Sequence, residues 1–312
     1  MTVEPTDTLV LLRELEPVVE RNLNRHLGTA KEWFPHEYVP WSEGRDFDGL
    51  LGGEAWDVGQ SKLPEIARTS LVVNLLTEDN LPSYHHEIAT MFGRDGAWGT
   101  WVHRWTAEEG RHGIAIRDYL LTTRAVDPVA LERARMQHMG VGFSNSNDGL
   151  IESVAYVAFQ ELATRVAHRN TGTISGDPLC EQLLARIALD ENLHMIFYRD
   201  LLAAAFDLAP NAAMRAVGNV IKSFQMPGHT IENFGRKSVQ IAMAGIYDLR
   251  IHHDEVLRPV LRQLRPFDRE GLSAEGEQAR DELSEFLREL DGAATRFVEK
   301  REAARARAAA RA

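Results

Sequence analysis

The sequence predicts an all-α protein, and two features of the residue pattern support this. Apolar residues recur at the three- and four-residue spacing of an α-helix rather than at the alternating spacing of a strand, as in Leu71, Leu75 and Leu76. Glycine and proline fall mainly between such stretches, where they would separate one helix from the next. The 312 residues, 44% of them hydrophobic, are enough to bury a sizeable core.

The predicted helix connections follow one another along the chain. They lie at 52–53, 93–99, 127–128, 140–149, 172–178, 227–228 and 266. Pro82 is the exception, because it falls within an otherwise helical pattern and is expected to kink or locally distort that helix close to Glu78. Since no low-complexity linker divides the chain, we expect one domain over 1–312, with its core at about 60–205 and a helical extension at about 275–312.

Composition excludes several classes of protein. A formal net charge of −11 argues against general nucleic-acid binding, which depends on excess Lys and Arg. No stretch approaches the roughly 20 apolar residues that span a bilayer, so an integral membrane segment is not expected. The single Cys180 cannot form an internal disulfide, and the N-terminus has no secretory pattern. The expected compartment is therefore the cytoplasm.

Two segments share one potential metal-binding pattern. Each contains an acid, a glutamate, two further residues and a histidine: Glu109 with His112 in the first, and Glu191 with His194 in the second. Positions three apart on a helix lie one above the other, so each pair can present a carboxylate and an imidazole to one point. A lone Glu-x-x-His is weak evidence in a chain with this many acids. Such a pair is more often a solvated helix face.

The spacing around the two motifs strengthens the prediction. Glu78 precedes Glu109 by 31 residues, and Glu161 precedes Glu191 by 30. Intervals of this length suit two antiparallel helices that return to the same height. One Glu from each of two helices and Glu-x-x-His from each of two others is the ligand set of di-iron and di-manganese bundles. The pattern predicts a ferritin-like helical bundle with additional flanking helices, and the metal ligands Glu78, Glu109, His112, Glu161, Glu191 and His194.

Charge favours two bound metals over a purely structural interpretation. Four carboxylates facing one core repel one another, and burying them without partners costs several kcal/mol each. Two divalent ions supply the compensating charge. We therefore expect two bound metal ions, of iron or manganese.

The same repeat predicts partners for the two histidines. A metal-binding histidine usually donates its other ring nitrogen to a carboxylate or carbonyl. Asp190 and Glu108 each precede a predicted ligand. We expect Asp190 to contact His112, and Glu108 to contact His194, so that each acid holds the histidine of the opposite half.

Six segments resemble a known family. They are LTEDNLPSY (76–84), WTAEEGRHG (105–113), FQELAT (159–164), DENLH (190–194), MPGH (226–229) and LSAEG (272–276). In this order they resemble the soluble acyl-[acyl-carrier-protein] desaturases. The similarity extends from about residue 33 to about residue 290.

The resemblance implies an activity and its partners. All six predicted ligands fall on family ligand positions, which implies two iron ions, Fe²⁺ or Fe³⁺, that are joined by oxo or carboxylate bridges and activate oxygen. Thr164 falls on the threonine beside the oxygen-binding face. Trp33, His112 and Asp190 match the chain through which electrons reach the metals. The implied reaction removes two hydrogens from adjacent methylenes of a long acyl chain borne by acyl carrier protein. Ferredoxin, with an NADPH-dependent reductase, supplies the electrons, and the protein is a homodimer.

The resemblance also identifies channel positions and departures from the family. Met91, Val154 and Ala155 lie at or near positions that line the acyl channel. Gly110 replaces the commoner Asn in the first metal motif, which should loosen that helix by up to about 1 kcal/mol. Glu87 occupies a channel position that is apolar in well-known members. This leaves acyl length and double-bond position open.

Two other functions remain open at this level. Metal ligands alone do not set the outcome of a reaction, so a related di-iron oxygenase that hydroxylates or N-oxygenates its substrate is the main alternative. A ferritin-like iron-storage module is a second alternative, although storage bundles need only about half this length. The pairs His85-His86 and His252-His253 lack carboxylate or cysteine partners at convincing spacing, so neither is a strong metal candidate.

Overall fold

The computed structural model describes residues 4–143 and 149–310, and within them the all-α prediction is confirmed. An isolated bridge between Phe47 and Glu54 is the only extended pairing in this part of the chain. The helices are α1 (Thr8–Thr29), α2 (Glu65–Asp79), α3 (Leu81–Phe92), α4 (Gly96–Thr122), α5 (Pro128–Val141), α6 (Leu150–Ser175), α7 (Pro178–Leu208), α8 (Pro210–Ser223), α9 (Phe234–Ala244), α10 (Leu249–Ile251), α11 (Arg258–Leu264) and α12 (Ala274–Ala309). A π-helical turn, His252–Leu257, joins α10 to α11. The predicted connection at 140–149 includes residues 144–148, which lie outside the described residues.

Helix starts follow the sequence signals. Asp127 accepts a hydrogen bond from the backbone of Val129 at 2.9 Å, and Asp177 accepts one from Leu179 at 2.8 Å. In both cases a proline follows at the first helical position, where its missing N–H needs no partner. These caps fix the starts of α5 and α7.

Four helices form the bundle that carries the predicted ligands. Helix α2 packs against α4 and α6, and α7 packs against the same two helices, so the four close into a ring. The remaining elements flank this ring: α1 lies on α4 and α7, α8 lies on α6 and α7, and α12 packs across α8 and α10. The structure thus has the ferritin-like arrangement with additional flanking helices that the sequence predicts.

The region around Pro82 is a break rather than a kink. Helix α2 ends at Asp79 and α3 begins at Leu81, with Asn80 between them. Pro82 lies in the first turn of α3, a position that suits proline, so the chain starts a second helix instead of bending the first. Glu78 consequently lies in the last turn of α2.

Gly113 sets how closely α4 approaches this break. A Cβ atom at Gly113 would lie 3.2 Å from Asp79 Oδ1 and 3.5 Å from the Glu78 Cβ atom. The absence of a side chain therefore allows close packing of α4 against the end of α2.

The irregular segment between α1 and α2 is held by one buried arginine. Arg124, only 2% exposed, donates hydrogen bonds to the carbonyls of Asp46 at 3.1 Å and Glu54 at 2.9 Å. Its guanidinium also lies over the Phe47 ring, 4.1 Å from the ring centre. This segment carries Trp33, so its anchoring supports the region of the metal ligands.

None of the described helices combines the length and the apolar content needed to cross a bilayer.

Candidate metal centre

The six predicted ligands converge at the centre of the bundle. Donor atoms of Glu78, Glu109, His112 and Glu191 lie within 4.8 Å of one another, and so do those of Glu109, Glu161, Glu191 and His194. Glu109 and Glu191 belong to both groups. Each group could hold one metal ion, with these two carboxylates shared between the ions.

Buried donor atoms without hydrogen-bond partners mark the site. Among the described residues these atoms include His112 Nδ1, His194 Nδ1, Glu161 Oε2 and both carboxylate oxygens of Glu191. Buried polar atoms are nearly always hydrogen-bonded in folded proteins, so a concentration of exceptions needs another explanation. Imidazole nitrogens and carboxylate oxygens aimed at one point are the donors that iron accepts in this type of bundle. The residues therefore fit a pair of metal ions.

The electrostatics of the site lead to the same inference. Burial, together with the neighbouring charge of Glu109, raises the pKa of both Glu78 and Glu191 well above the ordinary range. Burial acts to lower the pKa of His112, but the Glu109 carboxylate outweighs it and the pKa is raised. The metal-free cluster thus holds protons where metal cations would supply positive charge.

Asp190 holds the first metal-binding histidine, as predicted. Its Oδ2 atom lies 3.3 Å from His112 Nε2 and accepts hydrogen bonds from Trp33 Nε1 at 2.7 Å and Arg111 Nη2 at 3.0 Å. Arg186, one turn before it on α7, pairs with the other oxygen. Burial raises the pKa of Asp190, but these partners, His112 first, outweigh burial and lower the pKa overall. Asp190 is therefore a buried anion that orients the ring.

Glu108 has the corresponding role in the second half, and this prediction is also confirmed. Its Oε2 atom lies 2.9 Å from His194 Nε2, and Arg104, one turn earlier on α4, pairs with Oε1. The third partner, His26 on α1, was not predicted: its Nε2 atom lies 2.9 Å from the same Glu108 oxygen. The two halves thus share an arginine, an outer acid, a ligand glutamate and a histidine at matching positions.

A second unpredicted histidine lies against the ligands. His168 is fully buried, with Nε2 3.0 Å from Glu78 Oε1 and Nδ1 3.2 Å from Asn74 Nδ2. Burial, with the nearby His112, lowers its pKa to about 3, which keeps the ring neutral. Its position seven residues after Glu161, two turns along one face, is a signal that could have identified it. His26 has no comparable signal, because α1 lies outside the repeat.

Thr164 is adjacent to the ligands on α6. Its hydroxyl donates to the Gln160 carbonyl at 3.0 Å, the back-bond expected of a helical threonine. The Thr164 side chain also lines a cavity that borders Glu78 and Glu109.

A largely apolar cavity of about 150 Å³ borders the metal ligands. Its walls come from α2, α3, α4, α6, α9 and the segments that precede and follow α9. They include Val73, Ile88, Trp105, Val157, Pro227, Phe234, Ile241 and Ile246. Glu87 lies on the wall, as the family resemblance implies.

The three predicted channel residues Met91, Val154 and Ala155 do not line this cavity. Val154 and Ala155 are buried in the core, and Met91 packs against it. On α6 the cavity face is formed instead by Val157, Gln160 and Thr164, which recur at helical spacing. For these three residues the channel assignment stays a prediction that this cavity does not support.

The two histidine pairs remain outside any metal cluster among the described residues. His85 Nδ1 lies 2.8 Å from Thr106 Oγ1, and His252 Nδ1 lies 2.8 Å from the Tyr247 hydroxyl. Each thus has a local hydrogen-bonding role.

Comparison with known proteins places these features in context. A family model described as fatty acid desaturase matches residues 7–311. The chain is 54% identical over 305 residues to DesA1 of Mycobacterium tuberculosis, provisionally named an acyl-[acyl-carrier-protein] desaturase. That match covers 95% of this chain and 90% of the relative. The chain is also 28% identical to the chloroplastic stearoyl-[acyl-carrier-protein] 9-desaturase of Spinacia oleracea, over 89% of this chain and 73% of that protein.

A solved structure has a similar fold. The X-ray structure of DesA2 from Mycobacterium tuberculosis, provisionally titled an acyl-ACP desaturase, superposes with a TM-score of 0.71 and 32% sequence identity. The match covers 86% of this chain and 99% of that one.

Proposed function

This chain belongs to the fatty acid desaturase family, and from that premise we propose that it desaturates a long acyl chain. The substrate is an acyl-[acyl-carrier-protein] thioester, the oxidant is O₂, and the product carries a new cis double bond for fatty acid biosynthesis. The names of the relatives support this substrate class. The observation that carries the proposal is the direct contact between an apolar cavity and the converging ligand set: Glu78 and Glu109 belong to both.

We propose that two iron ions occupy the centre. Glu78 and His112 would hold one ion, Glu161 and His194 the other, and Glu109 and Glu191 would bridge them. When bound, the iron pair would activate O₂ for the oxidation of an unactivated C–H bond, which does not react with an acid, a base or a nucleophile.

The residues of the chain position the components of the reaction. Apolar side chains such as Val157 and Ile241 would bind the methylenes and exclude water from the reacting segment. Thr164 presents its hydroxyl beside the ligands, where it can hold a proton. Trp33, Asp190 and His112 form a hydrogen-bonded line from the α1–α2 segment to the ligands, and we assign electron entry to this line.

The proposal includes the partners and setting of the enzyme. Acyl carrier protein would deliver the substrate, and ferredoxin, reduced by an NADPH-dependent reductase, would supply two electrons per turnover. The working form would be a cytoplasmic homodimer. We further propose that 1–312 acts as one domain, with its metal-binding core at about 60–205 and a helical extension at about 275–312.

Product mass tests the proposal directly. Iron-loaded protein is incubated with ferredoxin, its reductase, NADPH, O₂ and a panel of acyl-[acyl-carrier-protein] thioesters. The masses of the acyl groups are then measured by mass spectrometry. Loss of about 2 Da from one chain length is expected for removal of two hydrogens. A gain of about 16 Da would instead identify an oxygenase. An unchanged panel, together with a hollow multimeric assembly, would favour iron storage.

A further inference from the structure

Two polar side chains on α3 face the cavity without partners. Tyr84 and Glu87 are three residues apart, so they share one face of the helix, and both line the cavity. The Tyr84 hydroxyl is buried and accepts or donates no hydrogen bond of ordinary geometry in the described chain, with the Asn80 side chain as a polar neighbour outside such geometry. For the half-buried Glu87 carboxylate, neither a hydrogen bond nor an ion pair is found within 4–143 and 149–310. A donor and an acceptor are thus available side by side.

Tyr84 and Glu87 should weaken the binding of an acyl chain that carries no polar group at their position. An acyl chain that fills the cavity displaces water from both groups, and methylenes return no hydrogen bond to them. The penalty is greatest for a carboxylate, because a charged group loses the most hydration. A ligand that carries a hydroxyl at this height would restore both interactions.

The height of the pair along the bundle is fixed. The contact between His85 on α3 and Thr106 on α4 sets the register of these two helices, which pack against each other. On α4, Thr106 lies three residues from the predicted ligand Glu109. On α3, Glu87 lies two residues beyond His85, in the direction away from the ligands. At 1.5 Å per residue, these five residues place Glu87 about 7.5 Å along the bundle from the ligand layer. A chain anchored there would present one particular bond to the metals.

We propose that Tyr84 and Glu87 form a polar subsite that recognises a hydroxyl group on the acyl chain, a few carbons from the bond that reacts. The Glu87 carboxylate accepts a hydrogen bond from the substrate hydroxyl, and the Tyr84 O–H donates a hydrogen bond to the oxygen of that hydroxyl. The contact between the Tyr84 and Phe143 rings, 5.0 Å between centres, holds the phenol in place. The subsite rests on the proposed function, because it requires an acyl chain in this cavity.

Equilibrium binding tests the subsite without turnover. Iron-loaded protein, kept oxidised and without ferredoxin, is titrated with a saturated acyl-[acyl-carrier-protein] and with thioesters of the same length that each carry one hydroxyl at a different carbon. We expect one hydroxyl position to bind about 10-fold more tightly than the saturated chain. Glu87→Met should abolish this preference and bind the saturated chain more tightly than wild type. Tyr84→Phe should reduce the preference severalfold.

Matched variants isolate the effect of Glu87. Glu87→Gln keeps the shape and an acceptor oxygen, so it should retain part of the preference and shows that the position tolerates exchange. His86→Gln changes the exposed neighbour and should bind like wild type. Equal affinity of wild type for saturated and hydroxylated chains would overturn the subsite, as would a preference that survives in Glu87→Met. If wild type binds the saturated thioester without any hydroxyl preference, the proposed function stands and only the subsite fails. If wild type binds neither thioester, both fail.

Discussion

The Trp33 indole donates a hydrogen bond to Asp190 Oδ2 at 2.7 Å, and the same oxygen lies 3.3 Å from the His112 ring. One carboxylate atom thus connects the segment after α1 with a predicted metal ligand. The Arg111 guanidinium covers the indole at 4.4 Å and also bonds to this carboxylate. Trp33 is therefore held by its hydrogen bond to Asp190 and by the Arg111 guanidinium on its ring. A substitution that keeps an aromatic ring but removes the hydrogen bond can separate its role in electron transfer from its role in packing.

Trp33→Phe should slow electron delivery while iron remains bound. Phenylalanine keeps an apolar ring but loses the indole hydrogen bond, while Asp190 keeps His112 and both arginines. We expect at least a 10-fold lower rate of reduction by ferredoxin in stopped-flow absorbance, with unchanged iron content. Trp101→Phe is the matched control, since it removes an equally buried indole bond, to the Tyr198 hydroxyl at 3.0 Å. Equal slowing in both variants would contradict the assignment.

The outer acids should tune metal affinity. Asp190→Asn and Glu108→Gln each remove the charge that faces a metal-binding histidine. Loss of such a partner typically lowers metal affinity by about 10- to 100-fold. Titration of the metal-free protein with Co²⁺ under competition from a chelator measures this change. Glu14→Gln alters only a surface acid and should bind as wild type does. Wild-type affinity in both outer-acid variants would refute this role.

Glu191→Gln should stabilise the metal-free protein and weaken metal binding. Because the folded-state pKa of Glu191 is raised by burial and by Glu109, the folded state retains a proton that the unfolded chain releases above about pH 4.3. Stability is therefore lost as pH rises, and a neutral amide avoids the loss. We expect a gain of about 2 kcal/mol at pH 7 without metal. Chemical unfolding with and without Co²⁺ measures both effects. A less stable metal-free variant would contradict the electrostatic account.

His252 should make stability depend on pH. Burial, with the charge of His253, lowers its pKa to about 4, whereas the unfolded value is about 6.5. The unfolded state therefore binds the proton first, and stability is lost as pH falls from about 6.5 towards 4. This contribution reaches about 2 kcal/mol between pH 6.5 and 5. His252→Gln keeps an acceptor for Tyr247 and should flatten the dependence in urea unfolding, whereas the exposed His36→Gln should not. An unchanged slope would refute the prediction.

Arg301 should stabilise the cavity wall through the C-terminal helix. Its guanidinium pairs with the buried Asp248 and donates to the Ala242 carbonyl at 3.3 Å. Ile241 and Ile246, which line the cavity, lie on either side of that carbonyl. Arg301→Ala leaves Asp248 without its cation and should cost about 2 kcal/mol in urea unfolding. Arg307→Ala, at an exposed position of the same helix, should cost little. Equal losses in the two variants would argue against this role.

The convergence of the six predicted ligands was the part of the structure that the sequence predicted best. The repeat of glutamate and Glu-x-x-His at 30-residue intervals is local information, and helix geometry converts it into convergence of six side chains. The same repeat predicted the contacts of Asp190 with His112 and Glu108 with His194. Both contacts follow from a shared position on matching helices.

The surroundings of the centre were less predictable. His26 reaches Glu108 from α1, a helix outside the repeat, so its contact depends on tertiary packing. The wall of the cavity depends on the rotation of α6, which presents Val157 rather than Val154 and Ala155. Pro82 signalled a disturbance, but whether a proline bends a helix or begins a new one depends on the backbone of Asn80. Such features are set by contacts between distant segments.

Gly113 determines how far apart two ligand helices stand. With hydrogen in place of a side chain, α4 approaches the last turn of α2, and Glu78 and His112 face each other across that contact. Alanine here would lie 3.2 Å from Asp79 Oδ1, so the Asp79 side chain would have to move by a few tenths of an ångström, and it would be in contact with the Glu78 Cβ atom at 3.5 Å. The small volume of Gly113, which offers no donor atom to a metal, therefore limits the distance between α4 and the end of α2, and with it the separation of the predicted ligands on these helices. Tuning the reactivity of such a centre need not involve its ligands at all.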